Sequence, residues 1–126
     1  MAELTRKDVI LCLNGNRNLM SVDLSGLDLS GLDLRFTHFE NANLAHAKLA
    51  HAQLIGAFLR NANLQGADLY RANLTGADLR GTNFDHACLT DAILTAAQLE
   101  GAQLATADIS GVIRTRESLW QSTSVP

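Results

Sequence analysis

From Leu19 onward every fifth residue is a large apolar one, and the series runs unbroken through Leu24, Leu29, Leu34, Phe39 and Leu44 to Leu104 and Ile109. Two residues before each stands mostly Ala, from Ala42 to Ala77 and again from Ala87 to Ala107, and the residue between is usually Asp, Asn or Gln. Two residues after the apolar one, Gly recurs at Gly26, Gly31, Gly56, Gly66, Gly76, Gly81, Gly101 and Gly111. Neither regular secondary structure accommodates a period of five. On an α-helix five residues turn through roughly 500°, so the apolar position would drift by about 140° per unit. On a flat strand an odd step sends alternate side chains to opposite faces. Every Leu stays inside only if the chain turns a corner once per unit, and Gly just beyond the Leu suits such a turn because it accepts φ > 0. Four corners close a square, so the expected fold is all-β: a helix of square coils.

Composition supports a core of that kind. Aromatic residues are only 5% of the chain, which excludes an interior built on large rings and leaves Leu and Ala to fill it. The net charge of -3 shows no basic excess, so direct nucleic-acid binding is not expected. Cys12 and Cys88 are far apart with no CxxC spacing, the pattern of buried or incidental thiols in a reducing compartment and not of a disulfide framework. The apolar run Val9 to Leu13 is too short for a signal peptide core or a membrane span. A soluble cytoplasmic protein is the resulting expectation.

Units such as NANLQ, GADLY, RANLT and GADLR resemble the pentapeptide-repeat family, written A(D/N)LXX, over about residues 17 to 111, and the chain is similar to short cyanobacterial members of it. The resemblance implies a right-handed quadrilateral parallel β-helix with about 20 residues per coil, here nearly five coils. Residues 20 apart then stack, giving inward columns such as Leu19-Phe39-Leu59-Leu79-Leu99 and a rod about 23 Å tall at about 4.8 Å per coil. On the outside, Asp23-Asn43-Asn63-Asn83-Gln103 line up as a candidate amide ladder. Val22, Leu27 and Leu32 enlarge the Ala position of the first coil, and Thr37 and Thr82 are isolated replacements.

A solenoid exposes strand edges at both ends unless they are capped. Thr5 and Asp8 have capping-box spacing, with Leu4 and Val9 placed as a hydrophobic staple, so a helix from about Arg6 to Leu13, stopped by Asn14-Gly15, is expected over the first coil. At the other end Ile113, Leu119 and Trp120 either close the last coil, on a helix around Thr115 to Gln121, or join a second subunit as a homodimer through the solenoid end. Val125-Pro126 is expected to fray. The expected organisation is a capping helix over residues 1–16, the repeat over 17–111 and a C-terminal cap or tail over 112–126.

Motifs for chemistry are sparse. His46 and His86 share a column two coils apart, His51 turns the next corner and His38 lies on another face, with no carboxylate or thiolate converging on them. Asp23, Asp28, Asp33, Asp68, Asp78 and Asp108 repeat at the outward position before the Leu, where any polar residue serves, and a convex rod offers no cleft for an acid/base pair. No phosphate loop or nucleophile elbow is present, so no catalytic residue, metal or cofactor is assigned. A carbohydrate-active or metal-dependent enzyme is disfavoured. So is a DNA-mimicking, gyrase-interacting role, which some family members have, because Lys48, Arg60, Arg71 and Arg80 interrupt the acidic positions. The outward apolar residues Phe36, Ile55, Phe58, Tyr70 and Ile93 depart from the pattern. Phe36, Ile55 and Phe58 map close enough to form one patch, the candidate surface for an unknown protein partner. A non-catalytic interaction module is the favoured reading.

Overall fold

The structure is a computed structural model and describes residues 4–114. One helix, α1 (Arg6–Leu13), precedes a ladder of parallel bridges, each joining a residue to the one 20 positions later, from Asn18↔His38 to Ile93↔Ile113. The ladder is held by a repeated pair of backbone bonds. Leu44 donates to the carbonyl of Asn63 at 2.7 Å, Asn63 donates back to Ala42 at 2.9 Å, and Ala47 closes the intervening turn on Leu44 at 3.0 Å. Each 20-residue tier therefore holds four five-residue units, and most backbone polar groups find partners in the tiers above and below.

The central apolar residue and the Ala two before it both point inward. Every central residue from Leu19 to Leu104 is buried, as is every Ala at the paired position from Ala42 to Ala102, and together they form one continuous core. Small and large inward positions alternate along the chain, which lets the walls approach at interior density. Thr37 and Thr82 are buried at the Ala position because their hydroxyls find acceptors. Thr82 Oγ1 donates to Leu59 O at 2.7 Å, and Thr37 Oγ1 reaches Arg35 O at 3.5 Å.

Every turn position from Ser21 to Gly111 in steps of five has positive φ except Thr106. Eight of these are the glycines, at φ between 65° and 75°. The others lie near 60° and include Asn41, Asn61, Asp91 and the histidines 46, 51 and 86, residue types that tolerate the left-handed region better than most. Phe36 is the bulkiest exception, at φ 57°. At Thr106 the side chain substitutes for the turn: its hydroxyl accepts the His86 N–H at 3.0 Å, where a backbone carbonyl serves in the regular tiers.

The N-terminal edge is closed in two ways. Thr5 and Asp8 form the expected capping box, and Leu4, Val9, Cys12 and Leu13 pack on the core beside Val22, Leu27 and Leu32. The lower rim of the first tier also carries carbonyls with no tier beneath them, and two arginines supply the donors. Arg6 Nη1 donates to Asp28 O at 2.9 Å, and Arg17 Nη1 reaches Asp33 O at 3.1 Å, Arg35 O at 3.0 Å and Thr37 Oγ1 at 3.3 Å. The exit from α1 differs from the sequence expectation. Asn14 caps the helix in a right-handed conformation, and the first left-handed residue is Arg17 (φ 57°), not Gly15. The anchored guanidinium fixes the bend where a glycine would merely permit it. Of the residues expected to act at the far end, Ile113 pairs with Ile93 and is 55% exposed, whereas Leu119, Trp120, the helix around Thr115 to Gln121 and Val125-Pro126 lie outside the described residues.

Candidate interaction surfaces

The outward carboxylates and amides have a more specific task than the sequence suggests. In most units the Asp or Asn before the Leu accepts the backbone N–H two residues on, as in Asn43 to Ala45, Asn63 to Gln65 and Asn83 to Asp85, at 2.9–3.0 Å. Where present, these Asx turns lead the strand into the corner and give the short side-chain oxygen a defined acceptor role, while corners that follow Lys48, Phe58, Cys88 or Ile93 form without one. The amide ladder consequently reduces to one long contact, Asn63 Nδ2 to Asn43 Oδ1 at 3.5 Å. Ser25, Ser30 and Ser110 donate hydroxyl and backbone N–H to Asp23, Asp28 and Asp108, and hold those carboxyls below their ordinary range. Arg35 grips Asp33 through Nε and Nη2 at 2.8 and 2.9 Å and lowers its pKa to about 2. Arg80 holds Asp78 in the same fork at 2.8 and 2.7 Å and lowers it likewise. These acids are committed to turns and ion pairs.

His46, His51 and His86 occupy left-handed turn positions, and the His46 ring lies over Gly66, where a Cβ would collide with it. His38 is different. Its ring stacks on Phe58 with centroids 4.5 Å apart, and its Nδ1 lies 3.2 Å from Glu40, so a carboxylate does meet one histidine, contrary to the sequence expectation. The step of two along an extended segment places both side chains on the same outer face. Among the described residues no three His, Cys, Asp or Glu side chains gather as metal ligands would. Cys12 and Cys88 are both free and half-buried.

Of the outward apolar residues, Phe36 alone is strongly exposed, at 60%, while Ile55, Phe58, Tyr70 and Ile93 are half-buried. The Phe36 backbone N–H donates to Ile55 O at 3.1 Å, and the Phe36 ring lies across Gly56, the next turn up its column. A Cβ on Gly56 would stand 2.6 Å from Phe36 Cδ1, so Gly56 serves both its own positive φ and the ring below. Phe36 and Ile55 are thus neighbours, whereas the ring contact of Phe58 is with His38.

Two surfaces escaped the sequence reading. Leu11 (64%) is exposed on α1, which buries only Val9 fully, and Met20 (44%) is exposed in the first tier. A shallow groove of about 520 Å³ is lined by His51, Arg71, Asp91, Ile93, Gly111 and Ile113, so the rod is not uniformly convex. Its turn residues lie 20 apart in sequence, a signal that was available but carries no weight until the column is known to face solvent. No described helix is long and apolar enough to cross a membrane.

The family model for pentapeptide repeats matches in eight copies, over residues 18–54, 42–81, 59–95 and 72–111. Among solved structures the chain is similar to the pentapeptide-repeat protein Rfr23 of the cyanobacterium Cyanothece 51142, at 36% identity over 79% of this chain and 60% of that one, with a TM-score of 0.48. It is also similar to AT2G44920 from the Arabidopsis thaliana thylakoid lumen, at 37% identity over 75% and 62% of the two chains and a TM-score of 0.42. A third is HetL of Nostoc sp. PCC 7120, involved in heterocyst differentiation regulation, at 31% over 76% and 52% and a TM-score of 0.33. The chain therefore spans less than two thirds of the length of each. Comparison with curated protein sequences finds no significant match. With its five-residue units, its 20-residue parallel ladder and a family model covering most of its length, the chain belongs to the pentapeptide-repeat family, whose fold is a right-handed β-helix.

Proposed function

We propose that the protein is a non-catalytic interaction module, a rigid four-sided rod of nearly five coils that offers Phe36, flanked by Ile55 and Phe58, to a protein partner. The exposed ring of Phe36, set on a left-handed turn, carries this reading. Eight of the turn positions are glycine, and a left-handed backbone costs an L-residue about 1–2 kcal/mol. Phe36 bears that cost while 60% exposed, so the strain returns little burial. Ser21, Arg71 and Ala96 hold the same turn conformation, so what sets Phe36 apart is a large exposed apolar ring at such a corner, which a partner explains better than the fold.

In this reading residues 1–16 and 112–126 close the rod, with Ile113, Leu119 and Trp120 acting at the C-terminal end as a cap or as a tail-to-tail contact. Neither a cofactor nor a catalytic group is assigned. The acids bound in Asx turns and in forks with Arg35 and Arg80 weigh against the gyrase-directed DNA mimic, whose carboxylates would have to be free to replace phosphates.

Phe36→Gly separates function from folding, because it removes the ring and relaxes the turn together. Affinity purification from the native host with the wild type and with Phe36→Gly is the test. The expected result is loss of a specific partner from a variant that melts at or above the wild-type temperature. The same partners recovered with Phe36→Gly and with the double variant Phe36→Ser, Phe58→Ser would refute the assignment.

A further inference from the structure

The groove beside Ile113 lies outside the proposed Phe36 surface, and its charged residues have an order that the fold itself leaves unused. Along one turn column, one tier apart, stand His51, Arg71, Asp91 and Gly111. Arg71 and Asp91 are oppositely charged neighbours, yet no ion pair joins them. The Arg71 guanidinium lies against the Tyr70 ring, 5.5 Å from its centroid. The Asp91 carboxylate turns the other way and lies over Gly111, whose missing Cβ leaves it room. His51 meets the same Tyr70 edge-on at 5.6 Å. Ile93 and Ile113 form the apolar side of the groove.

This column is complementary to itself when reversed. A two-fold axis perpendicular to the rod, passing between the tiers of Arg71 and Asp91, brings each row opposite its counterpart in an antiparallel copy. Arg71 then faces Asp91 of the partner subunit and the converse, while His51 stands opposite the tier of Gly111, whose turn the Asp91 carboxylate of the same copy covers. The charges match reciprocally, as an isologous interface requires. With tiers about 4.8 Å apart, Arg71 and Asp91 on facing rods keep register over all four rows. We propose that this groove is the contact of a side-by-side antiparallel homodimer, distinct from any tail-to-tail contact through the solenoid end.

Four rows about 15 Å tall make a contact smaller than the roughly 800 Å² per partner of a stable complex, so the dimer is weak and salt-sensitive. Sedimentation velocity from 10 µM to 1 mM (about the range in which weak dimers populate) at low salt is the test, on the wild type, Arg71→Asp, Asp91→Arg and the double charge swap. The wild type is expected to dimerise, each single variant to weaken association at least tenfold, and the swap to restore it. Circular dichroism verifies that each variant is folded, and Phe36→Gly is expected to dimerise like the wild type. A wild type that stays monomeric to 1 mM, a single variant that associates normally, or a swap that fails to restore association overturns the proposal. Polymers that form independently of these charges do so as well.

Discussion

Removing the Arg17 guanidinium opens the N-terminal rim, and the geometry sets the size of the effect. Nη1 faces three acceptors, Asp33 O, Arg35 O and Thr37 Oγ1, but carries two hydrogens, so about two bonds operate at once. A hydrogen bond to a charged group contributes about 1.5–3 kcal/mol when buried. The Arg17 side chain is 30% exposed and water replaces part of the loss, so Arg17→Ala is expected to cost about 2 kcal/mol in total. For a chain of 126 residues that is a fall in Tm of about 7 °C. Arg17→Gly loses the same bonds but relaxes the left-handed backbone at φ 57°, recovering about 1 kcal/mol, so its fall is about half as large. Thermal melts followed by circular dichroism, with light scattering to detect edge-to-edge association, measure both variants. A wild-type Tm for Arg17→Ala would show that water caps the rim equally well. A drop for Arg17→Gly as large as that for Arg17→Ala would refute the conformational half of the reasoning.

Other substitutions probe the turns, the core and the acids. Gly56→Ala and Gly76→Ala share a positive φ near 65–68°, but only Gly56 faces the Phe36 ring, so Gly56→Ala is expected to melt lower, and a Phe36→Ala background should abolish the difference. Thr82→Val keeps the volume and loses the bond to Leu59 O, for an expected cost of about 1 kcal/mol, or about 4 °C in Tm. Asp33 titrates near 2 in the folded chain and near 3.9 in the unfolded one, so its contribution is complete above pH 4 and disappears as the pH falls toward 2. In melts from pH 6 to 2, Asp33→Asn, which keeps the Asx acceptor without the charge, should flatten the acid limb of the profile.

Much of the fold was legible because a period of five admits so few solutions. Leu and Ala positions are inward-facing wherever they occur, and the capping box at Thr5 and Asp8 is local enough to read from spacing alone. What stayed hidden was set by contacts 16 to 22 residues apart. Arg17 reads as an ordinary surface arginine until the rim carbonyls of Asp33 and Arg35 appear beside it. The stacking of His38 on Phe58 needs the tier above. The carboxylates looked interchangeable with any polar residue because an Asx turn is a matter of backbone direction, which only the corner supplies. Phe36 could be marked as an outward residue from its place in the unit, but its strain is a dihedral angle, and its exposure depends on Gly56 lying above it. The sequence by itself determined which side chains are core, corner and wall, since burial follows from periodicity. The tertiary structure decided which wall residues touch, because stacking tiers brings together groups whose separation along the chain hides their proximity.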